Sequence, residues 1–392
     1  MDCNVCAAPL GEPIFASRSE TALTSLCEQR PGRLQVWSCT SCGHLLGQAL
    51  AQTESYYASD YRILLDHDDE DQIYEIRDGS IVYRTDHQVN VLRSKIDLRE
   101  GAMLLDYGCA KASTPRRLLE SRADLRVHLF DVSDMYLAHW DRFVPKLRQA
   151  IHDTPPEWAG GFDVVTSFFA LEHIPRPLET VRKVAALLKE GGLFYAVVPD
   201  TFGNVADFVV IDHVNHFTVP SVHALLRQCG LESVAVDREA HRGALVIVAR
   251  KPARASAGAS SPRGDMTSGL NDVQNESNRL AQFWSTIDDR IQDAEQRHAG
   301  RDVAIYGSGF YGAFIFSAMR DSSRVRCFLD RSPYQQGKTL FGKPIVAPEA
   351  LPADVQVLFI GLNPKIARPT IAQLDGTWGA ALETVFLDGQ GA

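Results

Sequence analysis

No apolar run in this 392-residue chain approaches the roughly 20 consecutive apolar residues of a membrane-spanning helix. The opening residues, Met1-Asp2-Cys3-Asn4, lack the basic and apolar regions of a secretory leader. Together these absences lead to the expectation of a cytoplasmic protein, not bound to a membrane, whose thiols stay reduced. Basic tracts are also missing. The formal net charge is −9, which argues against nucleic acid as the main partner. The length excludes one ordinary core, so two or three domains are expected. Monomer and homodimer both remain open.

Cysteine is sparse, eight residues in all, and unevenly used. Cys27, Cys109, Cys229 and Cys327 stand alone and read as small core residues. The other four form two C-x-x-C pairs, Cys3 with Cys6 and Cys39 with Cys42. Each pair can form a knuckle with two thiolates turned inward, and two knuckles complete a four-sulfur structural zinc site. A redox role would need a strand and helix of thioredoxin type around one pair, and none is present. His44 lies near enough to substitute for a ligand, although a surface position is expected. So small a segment cannot fold on its own core, and the metal would supply much of its folding energy. Its expected extent is residues 1–55.

Tyr56, Tyr57, Tyr61, Tyr74 and Tyr83 crowd the next stretch, beside an acidic run from Asp66 to Asp71. The acidic run reads as a solvated loop. The tyrosines suit either a core or a lid over a substrate. Arg84 to Ile96 has the apolar spacing of an amphipathic helix.

From residue 101 the pattern alternates. Strands are expected at Met103–Tyr107, Arg126–Asp131, Phe162–Ser167, Leu193–Val198, Ser233–Val236 and Leu245–Ala249. Helices are expected at Thr114–Ser121, Asp134–Phe143, Pro177–Leu188 and Val219–Cys229. This is an α/β pattern with a mostly parallel sheet, and function belongs at the C-terminal ends of its strands.

Asp106-Tyr107-Gly108-Cys109-Ala110-Lys111-Ala112 resembles the first motif of class I S-adenosylmethionine methyltransferases, with alanines where two glycines are usual. Alanine allows a close backbone but makes positive φ costly. Asp131, closing the next strand, has the position and type of a ribose-binding acid; its competing role is a helix cap. Phe162 to Pro175, followed by Gly191-Gly192, resembles the fourth strand, loop and turn of the same superfamily. The resemblance implies a seven-stranded core with the cofactor over Asp106, Gly108, Ala110, Asp131, Val132 and Phe169. Asp153 stands where the family approaches the adenine, or serves only as a cap.

Two histidine groups follow strands of this sheet, Glu172-His173 and Asp212-His213-Val214-Asn215-His216-Phe217. Histidine titrates in the right range to take a proton near neutrality, and an adjacent carboxylate can orient it. The competing role is to brace loops.

Residues 253–270, rich in Ala, Ser, Gly and Pro, read as a linker. An amphipathic helix is expected from Asn271 to His298, with Leu280, Phe283, Trp284, Ile287 and Ile291 on one side. A second strand-turn-helix then carries Gly307-Ser308-Gly309-Phe310-Tyr311-Gly312, with Asp330 closing the next strand. Alone it suggests a nicotinamide dinucleotide, but the segment is too short for a complete dinucleotide fold with a substrate domain. Glycines that serve only a tight turn are the competing explanation.

The whole layout resembles the three-domain sugar C-methyltransferases that act on nucleotide-linked 4-keto-6-deoxyhexoses. The resemblance implies a zinc module (1–55), a methyltransferase domain (56–252) and a half-Rossmann unit (271–392). It also implies that the Gly307, Gly309, Gly312 and Asp330 region contacts the nucleotide-sugar. His173 matches the first family histidine and His216 the second, while Asn215 stands in place of a glutamate. The implied reaction is proton removal by His216, assisted by Asp212 or His173, then carbon methylation. The alternatives are O- or N-methylation on the same scaffold, a non-catalytic binding protein, and an NAD-linked oxidoreductase.

Overall fold

The computed structural model describes residues 1–49, 71–77, 80–253, 266–374, 376–379 and 382–388. Tyr56, Tyr57, Tyr61, most of the acidic run and most of the expected linker lie outside the described residues.

The chain divides into two compact units. One gathers Met1–Ile14, Val36–Gly203 and Asp212–Ser277; the other gathers Phe15–Gln35, Asn204–Ile211 and Asn278–Ala392. The three segments expected from sequence cut across this division. The residues between the cysteine pairs split, and residues 15–35 count with the C-terminal unit.

The first unit is built on a seven-stranded sheet. Its order is Gln149–Ile151, Arg126–Asp131, Met103–Tyr107, Phe162–Phe168, Leu188–Pro199, Ala244–Arg250, Glu232–Asp237. All neighbours run parallel except Ala244–Arg250, which is antiparallel to both of its partners. Residues of one strand alternate between two cores. Leu105 and Tyr107 face one and Leu104 the other; Phe194, Ala196 and Val198 face one and Tyr195 and Val197 the other. Burial on both faces is why these strands read as continuous apolar runs.

The expected strands are all present. Gly191-Gly192 does not interrupt its strand: Leu188–Pro199 is continuous, with a register shift against Phe162–Val164. Two features of this sheet and its surroundings differ from the sequence pattern. The helix expected over Asp134–Phe143 is a single turn, Leu137–Trp140. The indole of Trp140 donates to the carbonyl of Ala110 (2.7 Å), and this tertiary bond fixes the turn against the loop after the first strand. The edge strand Gln149–Ile151 has no counterpart among the strands read from sequence. Three residues between Pro145 and Pro155 are too few to show a period.

Around the cysteines, Val36–Ser38 pairs with Leu45–Gly47, which pairs antiparallel with Asn215–His216. His44 is buried here, correcting the expected surface position.

The second unit has a six-stranded sheet in the order Thr339–Leu340, Lys343–Val346, Val325–Leu329, Asp302–Tyr306, Val355–Ile360, Glu383–Phe386. The long helix Met266–Arg297 starts before the expected Asn271. Its Leu280, Trp284, Ile287 and Ile291 are buried as expected, and Phe283 is half-buried. Two of the glycines at the sheet's first turn are packing requirements. A Cβ on Gly312 would lie 1.9 Å from the Gly307 carbonyl oxygen, and one on Gly307 would lie 2.4 Å from that of Gly361. Gly309 has nothing within 4 Å of such a Cβ. Tyr311, inside the same motif, receives a hydrogen bond from the Ala206 amide and donates to Asn204 (both 3.0 Å).

Gly312→Ala is expected to lower stability by about 3 kcal/mol, because backbone must move to admit the methyl. Gly309→Ala is expected to change the thermal midpoint little. Equal midpoints for the two variants would contradict the packing role.

Candidate active site

The strand Met103–Tyr107 ends in a loop whose backbone conformation is unusual for its residues. Gly108, Ala110 and Ala112 have φ of 74°, 45° and 56°. The two alanines occupy left-handed conformations that cost an L-residue about 1–2 kcal/mol each. Gly108 is crowded as well: a Cβ there would lie 2.9 Å from that of Ala170, in the loop after the fourth strand. The Ala112 amide bonds the Cys109 carbonyl (2.7 Å), and Ala110 is held by Asp131. Its carboxylate accepts from the Ala110 amide (2.8 Å) and from Ser133 (3.1 Å). Helix Ser113–Ser121 then starts directly from Ala112. The result is a strand-loop-helix in which the amides of Gly108, Cys109, Ala110 and Ala112 all bond within the protein, with the N-terminus of helix Ser113–Ser121 beside them.

Asp106 is buried and receives a hydrogen bond from Thr166 (2.7 Å). Burial pushes its carboxyl up to about 7, against the opposing pull of Thr166. Burial likewise raises Asp131. Val132, next in the chain, is 45% exposed. Asp153 stands just past the edge strand, with its side chain 75% exposed and paired to Lys183 (3.1 Å). Phe169 also has positive φ (52°), and the Arg84 guanidinium lies 3.9 Å from its ring centre.

That aromatic extends into a cluster the sequence reading missed. His241 packs edge-on against Phe169, Tyr74 and His87, and Tyr74 stacks on His87 with ring centres 3.7 Å apart. Burial, with Arg84 and His87 nearby, pushes His241 down to about 3, so it stays neutral. Its buried Nε2 has no hydrogen-bond partner among the described residues. Tyr74 was visible as part of a tyrosine-rich stretch. Arg84, His87 and His241 come from separated segments and carry no joint spacing signal.

The two histidine groups of the sequence meet in space. The short helix Leu171–His173 and the segment Asp212–His216 are joined by a hydrogen bond from the Val214 amide to the Glu172 carbonyl (2.8 Å). Asn215 donates to the carbonyls of Leu171 (2.8 Å) and Ile174 (2.7 Å). Its oxygen accepts from Asn4 (2.7 Å), between the first cysteines, and from His44 (3.3 Å). His173 Nδ1 lies 3.0 Å from the Asp212 carbonyl and packs edge-on against His213. His216 is fully buried, opposite Leu45 and beside Gly47.

The sulfurs of Cys3, Cys6, Cys39 and Cys42 all lie within 4.8 Å of one another, with Cys3–Cys42 at 3.7 Å and Cys6–Cys39 at 3.4 Å. Tetrahedral zinc with bonds near 2.3 Å separates its sulfurs by about 3.8 Å, so the set fits. Hydrogen bonds from Cys3 and Cys42 hold the Cys39 thiol low.

Residues 83–236 match a family model described as a methyltransferase domain. A ubiquinone biosynthesis O-methyltransferase of Vibrio parahaemolyticus is 32% identical over 116 residues, covering 27% of this chain and 49% of its own length. One from Xanthomonas campestris pv. campestris is 33% identical over 100 residues, covering 24% and 42%. The chain thus spans about half or less of the curated relatives it matches. A solved S-adenosylmethionine dependent methyltransferase from Mesorhizobium loti aligns over 42% of this chain and 97% of its own, at 17% identity and a TM-score of 0.35. No helix among the described residues is long and apolar enough to cross a membrane.

Two outcomes follow. Ala110→Gly is expected to be neutral to stabilising by about 1 kcal/mol, since relief of positive φ outweighs the added chain entropy; a lowered melting temperature would contradict the strain. Asp106 is raised from 3.8 to about 7 on folding, so its contribution to stability is complete below pH 3.8 and lost as pH rises to about 7. Asp106→Asn is expected to flatten the fall in urea midpoint between those limits. A parallel decline in both proteins would remove Asp106 as the cause.

Proposed function

We propose that this chain, whose residues 83–236 form a class I methyltransferase domain on an α/β sheet, transfers a methyl group from S-adenosylmethionine to a nucleotide-activated deoxysugar. The observation that carries the cofactor reading is the Asp131-anchored loop. Two alanines are held at positive φ, a conformation that keeps the backbone open for a close ligand. Asp131 receives the ribose hydroxyls, Val132 and Asp153 flank the adenine, and Asp106, Gly108, Ala110 and Phe169 border the remainder.

When bound, the cofactor supplies an electrophilic methyl on a sulfonium. Everything else is positioning and proton transfer. In this reading the acceptor carbon lies next to a ketone, and His216 removes its proton. Asp212 and His173 assist, and His213 and Glu172 complete the same group. Buried donors then favour the charge that develops on the ketone oxygen. The four-cysteine cluster holds structural zinc. The loop at Gly307, Gly309 and Gly312, closed by Asp330, contacts the nucleotide: Asp330 accepts from the Ser308 amide (3.0 Å), and Gly309 leaves open space.

What supports a sugar acceptor is the combination of the cysteine cluster, the histidine segments and a second α/β unit in one chain. A second reading, methylation of an oxygen, is favoured by the relatives named as O-methyltransferases.

The enzyme incubated in D2O with a 4-keto nucleotide sugar and no methyl donor is expected to exchange deuterium into the carbon beside the ketone. His216→Gln is expected to slow this by about 10²–10⁴-fold, the usual worth of a positioned base. Methyl transfer to a hydroxyl without such exchange would replace the carbon reading by the oxygen one.

A further inference from the structure

We infer that Glu172, His173 and His213 form a binding site for a divalent transition cation, separate from the four cysteines. One ligand atom from each residue lies within 4.8 Å of the other two, and all three residues are buried. Two imidazoles and one carboxylate are the donors that zinc and its neighbours take when one coordination position is left open. A tetrahedral ion would draw these atoms to about 3.3 Å apart, a shift on the scale of a side-chain rotation.

The surroundings fix the ligands as such sites require. The Asp212 carbonyl can only accept, so His173 Nδ1, 3.0 Å away, carries the proton. Its Nε2 is thereby left as the lone-pair nitrogen. The Asp212 carboxylate is also near, 3.7 Å from the same Nδ1. The amide of Asn215 spans the short helix, bonding the carbonyls on either side of Glu172 and His173. The Val214 amide, next to His213, bonds the carbonyl of Glu172 itself. The backbone segments that carry the three donors are therefore tied to one another before any ion arrives.

The trio stands past the end of the strand Phe162–Phe168, at the edge of the sheet where α/β proteins bind substrate. An open coordination position there suits the keto or hydroxyl oxygen of a methyl acceptor, where a cation acts as a Lewis acid. This last step rests on the methyl-transfer reading; the cation site does not.

Zinc-replete protein titrated with Co2+, without cofactor or substrate, tests the site directly. One equivalent is expected to give visible d–d absorption without thiolate charge transfer. Affinity is expected to fall at least tenfold in Glu172→Gln and in His213→Gln. X-ray absorption of the cobalt-loaded wild type is expected to report two imidazoles and one carboxylate, a readout that needs no variant to fold. Absence of d–d absorption, thiolate bands alone, a cobalt shell without imidazole, or undiminished binding in both folded variants would overturn the site. Failure of methyl transfer would leave each of these readings intact.

Discussion

The bond from the Ala110 amide to Asp131 carries the central site. The Asp131 carboxylate, with the Trp140 indole on the Ala110 carbonyl and the Ala112 amide on the Cys109 carbonyl, offsets the left-handed strain at Ala110 and Ala112. The same carboxylate position is what a ribose would use. In the proposed function one side chain would then serve twice, bracing the loop and accepting from two hydroxyls. The second unit has a similar device, with Asp330 holding the Ser308 amide, but there the left-handed position is a true glycine, Gly307, and the space a Cβ would take at Gly312 is filled by the Gly307 carbonyl.

Asn215 plays the corresponding part for the histidine loops. Its amide reaches the carbonyls around Glu172-His173, and its oxygen reaches Asn4 between Cys3 and Cys6. Folding of the cysteine knuckles and placement of the histidine loop are therefore linked through one side chain. A glutamate at this position would lack the amide donor that two carbonyls require. The departure from the sugar-methyltransferase pattern thus has a physical use, independent of which histidine moves a proton.

Much of this was legible from residue order. The buried strands announce themselves by apolar runs, and the loop by Asp106 and Asp131 at the ends of two of them. Ala110 and Ala112 were recognisable as strained only because a motif demanded glycine there; alanine by itself carries no such signal. What stayed hidden depends on tertiary contacts. Trp140 reaches back to Ala110 and replaces an expected helix by one turn. His241 meets Phe169, Tyr74 and His87 from across the chain. The split of residues 15–35 from the cysteines that flank them has no signature in composition. Pattern reasoning sees periodicity within a segment, whereas these features arise between segments.

Two loops of related design compete for one cofactor, and calorimetry separates them. Titration of S-adenosylmethionine into the wild type, Asp131→Asn and Asp330→Asn is expected to give one site per chain. That site should be weakened at least tenfold by Asp131→Asn and unchanged by Asp330→Asn. Absence of binding to the folded wild type, or loss of binding only in Asp330→Asn, would contradict a cofactor site on the loop from Asp106 to Ala112.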